Sequence, residues 1–465
     1  MTEVAEPSSP TVRPARAPRR APTDLPFTFV DRDLVEGIAD AHGEPAWLRE
    51  DRLAGLAAFE ALPVESNLLY TPYVDLRAAS LDGALPYTGA ATGGTEADLT
   101  ADVAGLIELR EDEVAARSLD PAARAAGVRL MTLPELVASD EALARDLLEG
   151  APLLPVHEKL AELSRTAWTS GLVLVVPAGV RVERPIVLRW SLGAPRTLVG
   201  RTIIVLGDGA EASVVEELVA TDAVQPGAQA LLCATTEIRL GADARLAMAS
   251  LQELGPDHVV FQQRRADIGE GADLRWALAQ LGGRLVRSRV DNVLAGDRST
   301  VEQVEIVFGS DDQLHDLTSY TRHVGRDTTG QLLSKGVLMD RARTYMKGLI
   351  QIEKTAIGTD SYLGEFGMNL SKAARAVAIP SLEIDQPDCR RAMHSSSVGP
   401  IDETQLFYLE SRGIAPDDAR KFIVLGFLEP VVARVPLEEA QDRLRDALEA
   451  KWASGIAPSG SATAA

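Results

Sequence analysis

From Ser170 onward the chain repeats one short unit, and no other feature constrains its fold as strongly. GLVLVVPAGVRVERPIVLRW (171–190), IIVLGDGAEASVVEEL (203–218), EIRLGADARLAMASLQEL (237–254), RADIGEGADLRWALAQL (265–281) and VDNVLAGDRSTVEQVEIVF (290–308) share a design. Each has a short apolar run, a turn rich in Gly, Asp and Ala, and a second short alternating run. No helical period separates the units, so βαβ packing is not indicated. A strand–turn–strand unit cannot bury its inner face alone and needs neighbours stacked on it, which predicts a solenoid. Small residues mark comparable turn positions at Ala210, Ala244 and Ala272, with Ala342 and Ala356 farther on. A β-sandwich pair is the competing architecture.

Composition limits the function classes. The 465 residues allow a large core or several domains, and 46% hydrophobic with 25% charged residues is ordinary for a globular protein. A formal net charge of −21 opposes nucleic-acid binding, which needs a basic face. Cys233 and Cys389 stand 156 positions apart, so neither a disulfide framework nor a CxxC metal spacing is expected. No apolar run of membrane-spanning length and no signal-peptide core is found, which makes the cytoplasm the expected location and a membrane partner unexpected. There is no P-loop, no GxSxG elbow and no HExxH motif.

Around the solenoid the texture differs. Residues 1–25 hold five prolines and four arginines (Arg13, Arg16, Arg19 and Arg20) and are expected to be a disordered tail. Residues 26–165 read as an N-terminal helical (α/β) region, with helices over 31–41, 45–62, 134–149 and 156–166, a strand at 128–132, and loop over 63–100. The β core is assigned to 166–400, a C-terminal helical domain to 401–453 and a disordered tail to 454–465. In the C-terminal domain Asp402 and Gln405 have capping-box spacing, and Gly413 supplies a helix stop. Leu406 and Leu409 face inward in this reading. Phe422, Ile423, Phe427 and Val431 form the next stripe, and Ala440, Leu444, Ala447 and Leu448 a third.

Two places hold candidate metal ligands. His315 and His323 flank LHDLTSYTRH beside Asp311, Asp312 and Asp316, a group that on a β-helix is more simply a polar outer face. The stretch IPSLEIDQPDCRRAMHSSSVGP (379–400) places Cys389 and His394 where the β body meets the helical tail. Thiolate and imidazole both suit iron, and the flanking Arg390 and Arg391 favour a thiolate. Two ligands cannot hold a cluster that needs four, so a site here must be completed by another chain. The plain alternative is a buried small cysteine and a hydrogen-bonding loop histidine.

From residue 315 the motifs become specific. HDLTSYTRHVGRDTTGQLLSKGVLMDRARTYMKGLIQIEKTAIGTDSY (315–362), LGEFGMNLSKAARAVAIPSLEI (363–384) and GPIDETQLFYLESRGI (399–414) resemble the core shared by SufB and SufD. These are the paired scaffold subunits of the Suf iron–sulfur cluster assembly system. The resemblance spans about residues 165–435 and is most like SufD through GEPAWLREDRLAGLAAFEALP (43–63), although FIVLGFLEPVVARVPLE (422–438) is more SufB-like. It implies a right-handed parallel β-helix between helical terminal regions and a non-catalytic scaffold. The implied partners are a SufB-like subunit and a SufC-like ATPase docked by the C-terminal helices, with a homodimer as an alternative assembly. It also implies an iron–sulfur cluster held transiently and shared with the partner, with none held stably by the isolated chain. HSSSVG (394–399) aligns on the family's His-Gly-Ala-Thr-Val-Gly, which puts His394 on the histidine implicated in holding the nascent cluster. The family cysteine position falls on Ala392, and Cys389 lies three residues earlier. The competing functions are a polysaccharide-active β-helix enzyme and a purely structural homodimeric β-helix.

Overall fold

A computed structural model describes residues 27–456 except 83, 101 and 222–227. The expected tail over 1–25 lies outside the described residues, as do 457–465. The N-terminal region contains α1 (Arg32–Ala41), α2 (Ala46–Ala61), β1 (Thr95–Glu96), β2 (Gly105–Arg110), β3 (Glu113–Leu119), α3 (Pro121–Ala125), β4 (Arg129–Thr132), α4 (Leu133–Ser139), α5 (Glu141–Leu148) and α6 (Lys159–Ala167). Asp140 splits the helix expected over 134–149, because its carboxylate caps α5 by accepting from Leu143 N at 3.1 Å. The larger departure is β2 and β3. They form an antiparallel hairpin, and β2 lies parallel beside the solenoid, so this stretch starts the sheet instead of being helical.

The body is a β-solenoid of about eight turns. Its strands are β5 (Ser170–Val176), β6 (Ile186–Leu192), β7 (Thr197–Leu206), β8 (Glu211–Ala220), β9 (Ala230–Leu240), β10 (Arg245–Glu253), β11 (His258–Ile268), β12 (Asp273–Gln280), β13 (Leu285–Leu294), β14 (Thr300–Gly309), β15 (Leu314–His323), β16 (Thr329–Leu338), β17 (Arg343–Ile352), β18 (Asp360–Asn369), β19 (Arg375–Ile384) and β20 (Arg391–Pro400). Odd strands from β5 to β19 build one sheet and even strands from β6 to β20 the other, each strand pairing in parallel with the strand two places on. His315 stands opposite Val286 and Thr344, 29 residues away in each direction. A sandwich of antiparallel sheets is thereby excluded.

The turn chemistry explains the repeat. Gly209, Asp243, Gly271, Arg298, Asp327 and Gly358 occupy successive turns at positive φ, where Gly and Asp are best tolerated. Each donates its N–H to the turn of the next rung, as Asp243 does to Glu270 O at 2.7 Å. Ala210, Ala244 and Ala272 are fully buried one residue later, with each carbonyl accepting from the following rung. A Cβ on Gly296 would lie 2.0 Å from Glu270 N, so that turn admits glycine alone.

Both outer faces are covered in the middle rungs. Over the odd-strand sheet lie α6, Phe27, Phe59 and the segment leading to Tyr70, whose hydroxyl donates to Gly348 O at 2.9 Å. Over the even-strand sheet lie α8 (Pro416–Val432) and α9 (Glu438–Ile456), which follow α7 (Glu403–Ser411). Val424, Leu428, Val431, Leu444, Leu448 and Trp452 pack there on Ala249, Ala277, Ile306 and Phe308. Each large side chain so buried contributes roughly 1.5–3 kcal/mol. The expected stripe on α8 is therefore displaced: Val431 is inward, but Phe422 is 60% exposed. On α7 no residue is buried, so Leu406 and Leu409 do not form an inner face. Helix α9 continues to Ile456, past the expected end at 453.

Candidate functional site

Among the described residues the solenoid ends without a cap. Strand β20 is the last of its sheet and pairs only with β18; β19 is the last of the other and pairs only with β17. Each therefore leaves one row of backbone donors and acceptors unpaired along its far edge. Exposed apolar side chains accompany these edges, with Met393 at 49% and Ile384 at 45%.

His394 lies on β20 directly beside Leu363 of β18. Leu363 is fully buried and points into the lumen, and in-register parallel neighbours point the same way. His394 thus faces the solenoid axis, yet no further rung covers it and it is exposed. Among the described residues it has no hydrogen-bond or ion-pair partner, which leaves both ring nitrogens available to a ligand.

Cys389 is placed differently. It sits in the turn between β19 and β20, half-buried against the apolar cluster of Leu332, Ile350, Ile352, Ala356 and Leu363. The flanking arginines turn to carboxylates of neighbouring rungs, Arg390 to Asp327 and Arg391 to Asp360, with Arg391 Nε 2.8 Å from Asp360 Oδ1. Their charge is neutralised locally instead of being directed at the thiol. Ala392, where the family cysteine falls, is half-buried beside Ser361.

The histidines of LHDLTSYTRH are structural. His315 is fully buried, with Nε2 3.3 Å from Gly282 O; His323 has Nδ1 2.8 Å from Thr328 Oγ1 and Nε2 3.0 Å from Ser361 Oγ. Burial pushes them down to about 3 and about 4, so both are neutral imidazoles at ordinary pH. Asp316 is on the opposite side of β15, paired with Arg287 and with Lys347 at 2.5 Å. The spacing of eight brought both histidines to the lumen and left the carboxylates outside it. Among the described residues no group of three or more His, Cys, Asp or Glu is placed to hold a metal ion.

Two further features were not read from the sequence. Glu305 and Glu365 point into the lumen, and burial pushes their carboxyls up to about 7 and about 8. Glu65, Arg287, Asp316 and Lys347 form a buried ion network that pins the segment after α2 to the solenoid. Glu305 lies in VEQVEIVF, where charged and apolar residues alternate, and alternation alone does not say which set faces inward. On the far side, Phe407 is 72% exposed and Tyr408 55%, an apolar surface across α7 and α8 on which only the Arg412 guanidinium, over the Tyr408 ring, rests among the described residues.

Fold and site together define a β-solenoid scaffold with helical layers on both faces and an uncapped terminal rung carrying a ligand-competent histidine. The SUF system FeS cluster assembly SufBD core domain matches residues 190–427, and the chain belongs to that family. It is similar to the iron–sulfur cluster assembly protein SufD of Bacillus subtilis, with 27% identity over 438 residues, 91% of this chain and 98% of the relative. SufBD family proteins of Staphylococcus epidermidis and Staphylococcus haemolyticus are 23% and 24% identical over 430 residues, 89% of this chain and 91% of each relative.

Proposed function

We propose that this chain is a non-catalytic scaffold subunit of the Suf system that pairs with a SufB-like subunit through its last rung. The observation that carries the reading is the coincidence of two unpaired strand edges with an exposed, unpartnered His394 at the same end. Strand edges of this kind are completed by another chain, and a cluster needs more ligands than this end supplies. His394 is then one ligand to the nascent cluster or iron, Cys389 a second once its turn is drawn out of its apolar seat, and the partner supplies the rest. The cluster is cargo, held transiently at the interface and not stably by the isolated chain.

The apolar surface of Phe407, Tyr408 and Phe422 suits the docking of a SufC-like ATPase. All three side chains are exposed; Phe407 and Tyr408 lie on α7, which has no buried residue, and Phe422 on α8, which packs on the solenoid through Val424, Leu428 and Val431. ATP hydrolysis then belongs to the partner, because this chain has no P-loop, and the assembly is cytoplasmic. Co-expression with the SufB-like and SufC-like subunits tests the reading: a co-purifying complex is expected, and its absence contradicts it. A homodimer through the same edges would appear instead as a two-copy species of the isolated chain.

A further inference from the structure

Parallel, in-register stacking lines up one inward column on the even-strand sheet: Glu216, Ser250, Leu278, Glu305, Ser334, Glu365 and Ser396. Its early part is electrically satisfied. Arg264 from the opposite sheet reaches Glu216 at 3.3 Å, Ser250 at 3.1 Å and Ser288 at 3.2 Å. Its late part is not. Glu305 and Glu365 are each 2% exposed, and neither has an ion-pair partner among the described residues.

Glu305 Oε1 is buried with no hydrogen-bond partner. Glu365 is held by one bond, Oε2 accepting from Ile379 N at 3.0 Å, while Oε1 lies over Gly348, where a Cβ would be 2.7 Å away. Glycines also occupy the inward positions 336 and 367, where a Cβ would lie 3.4 Å from Thr344 and 2.7 Å from Ala376, so the lumen is narrow at this level. The charge on Glu305 further disfavours the carboxylate of Glu365, so the two acids interact. Other lumen atoms are unsatisfied as well, among them Gln280 Oε1 and Asn292 Oδ1. Buried polar atoms without partners are expected to meet water or an ion.

We propose that Glu305 and Glu365, with Ser334 between them, hold a divalent cation of the oxygen-preferring class, such as Mn2+ or Fe2+, inside the last rungs of the lumen. Neighbouring strands are about 4.8 Å apart, so the two glutamates stand about 10 Å apart at Cα, a span that two such side chains close around one ion. Carboxylate, hydroxyl and amide oxygens are hard ligands and suit these ions. A dication neutralises two buried carboxylates, of which only Glu305 feels a cation, Arg264, that is already bonded to Glu216 and Ser250. Entry is through the uncapped end, where Ser396, the next residue of the column, is exposed. The site lies beneath His394 but uses none of its atoms, so it does not depend on partner docking.

The test is Mn2+ titration of the isolated full-length chain, followed by loss of the free-ion EPR signal and by thermal unfolding. Wild type and H394A should each take up one Mn2+ and melt higher in its presence. E305Q and E365Q should show neither effect. If E305Q fails to fold, E365Q decides alone. Wild type that takes up no Mn2+, or E365Q that binds it as wild type does, overturns the proposal and leaves a neutral pair of buried acids. Because no partner is present, this result is separate from the outcome of co-purification.

Discussion

Strand β11, in the middle of the solenoid, and strand β20, at its end, come from the same repeating unit. Nine of the 11 residues in β11 are buried, whereas β20 has no buried residue among its 10. The difference is in what lies on them. β11 has a strand on each edge, a filled lumen on one face and α6 with Phe27 on the other. Among the described residues β20 pairs with one strand, β18, and nothing buries its faces. The backbone is alike in both places, so regular structure at the end is maintained by β18 and by a small set of side-chain ties. These include Tyr362 to Ser395 at 2.6 Å and Arg391 to Asp360. In this protein the middle rungs give stability, and the last rung leaves its edge and His394 exposed.

Matched substitutions should separate the two regions. The largest effect is expected at Glu237→Ala. Glu237 and Arg201 are both fully buried in a two-point contact of 2.8 and 2.7 Å, and removing one partner strands a buried charge, costing about 3–5 kcal/mol in chemical denaturation. Leu274→Ala, in the filled lumen, should cost about 2–5 kcal/mol by the same measurement. If either were silent, the middle would not be the stabilising region.

The buried histidines give the middle rungs a pH signature. His315 and His323 have folded values below the unfolded one, so the unfolded chain takes up their protons first. Their contribution is therefore complete above about 6.5 and falls as pH drops toward 4, by about 1.4 kcal/mol per pH unit for each. Unfolding measured from pH 7 to 4.5 should show this slope, and H323Q should reduce it.

At the other extreme stands the last rung. Arg391→Ala breaks a partly exposed ion pair and should change stability by only about 0.5 kcal/mol. Phe407→Asp should leave the melting temperature unchanged and abolish co-purification with a SufC-like ATPase. A large loss of stability from either change would mean that the end is built like the middle.

The solenoid was legible because its turns carry their own chemistry: a positive-φ residue, mostly Gly or Asp, followed by a buried Ala, Ser or Thr recurs whatever the strands contain. The uncapped end was legible only through the family motif around His394, since nothing in local sequence announces a missing neighbour. Two features were hidden for physical reasons. β2 is ordered by pairing with β6, a contact across 81 positions, and β3 by its hairpin with β2. Glu305 and Glu365 resemble surface residues in an alternating strand, and only the phase of the whole stack puts them inside. The apolar side chains of α7 and α8 misled in the opposite sense: helical spacing showed that a face exists, not whether this chain covers it.

If the last rung is half of a shared site, His394 should matter only once the partners are present. The direct measurement is the iron and sulfide content of the anaerobically purified complex with SufB-like and SufC-like partners, for wild type, H394A and C389A. The predicted result is that all three assemble equally, that H394A loses most of the iron and sulfide, and that C389A falls below wild type. Wild-type iron and sulfide in an assembled H394A complex would contradict it.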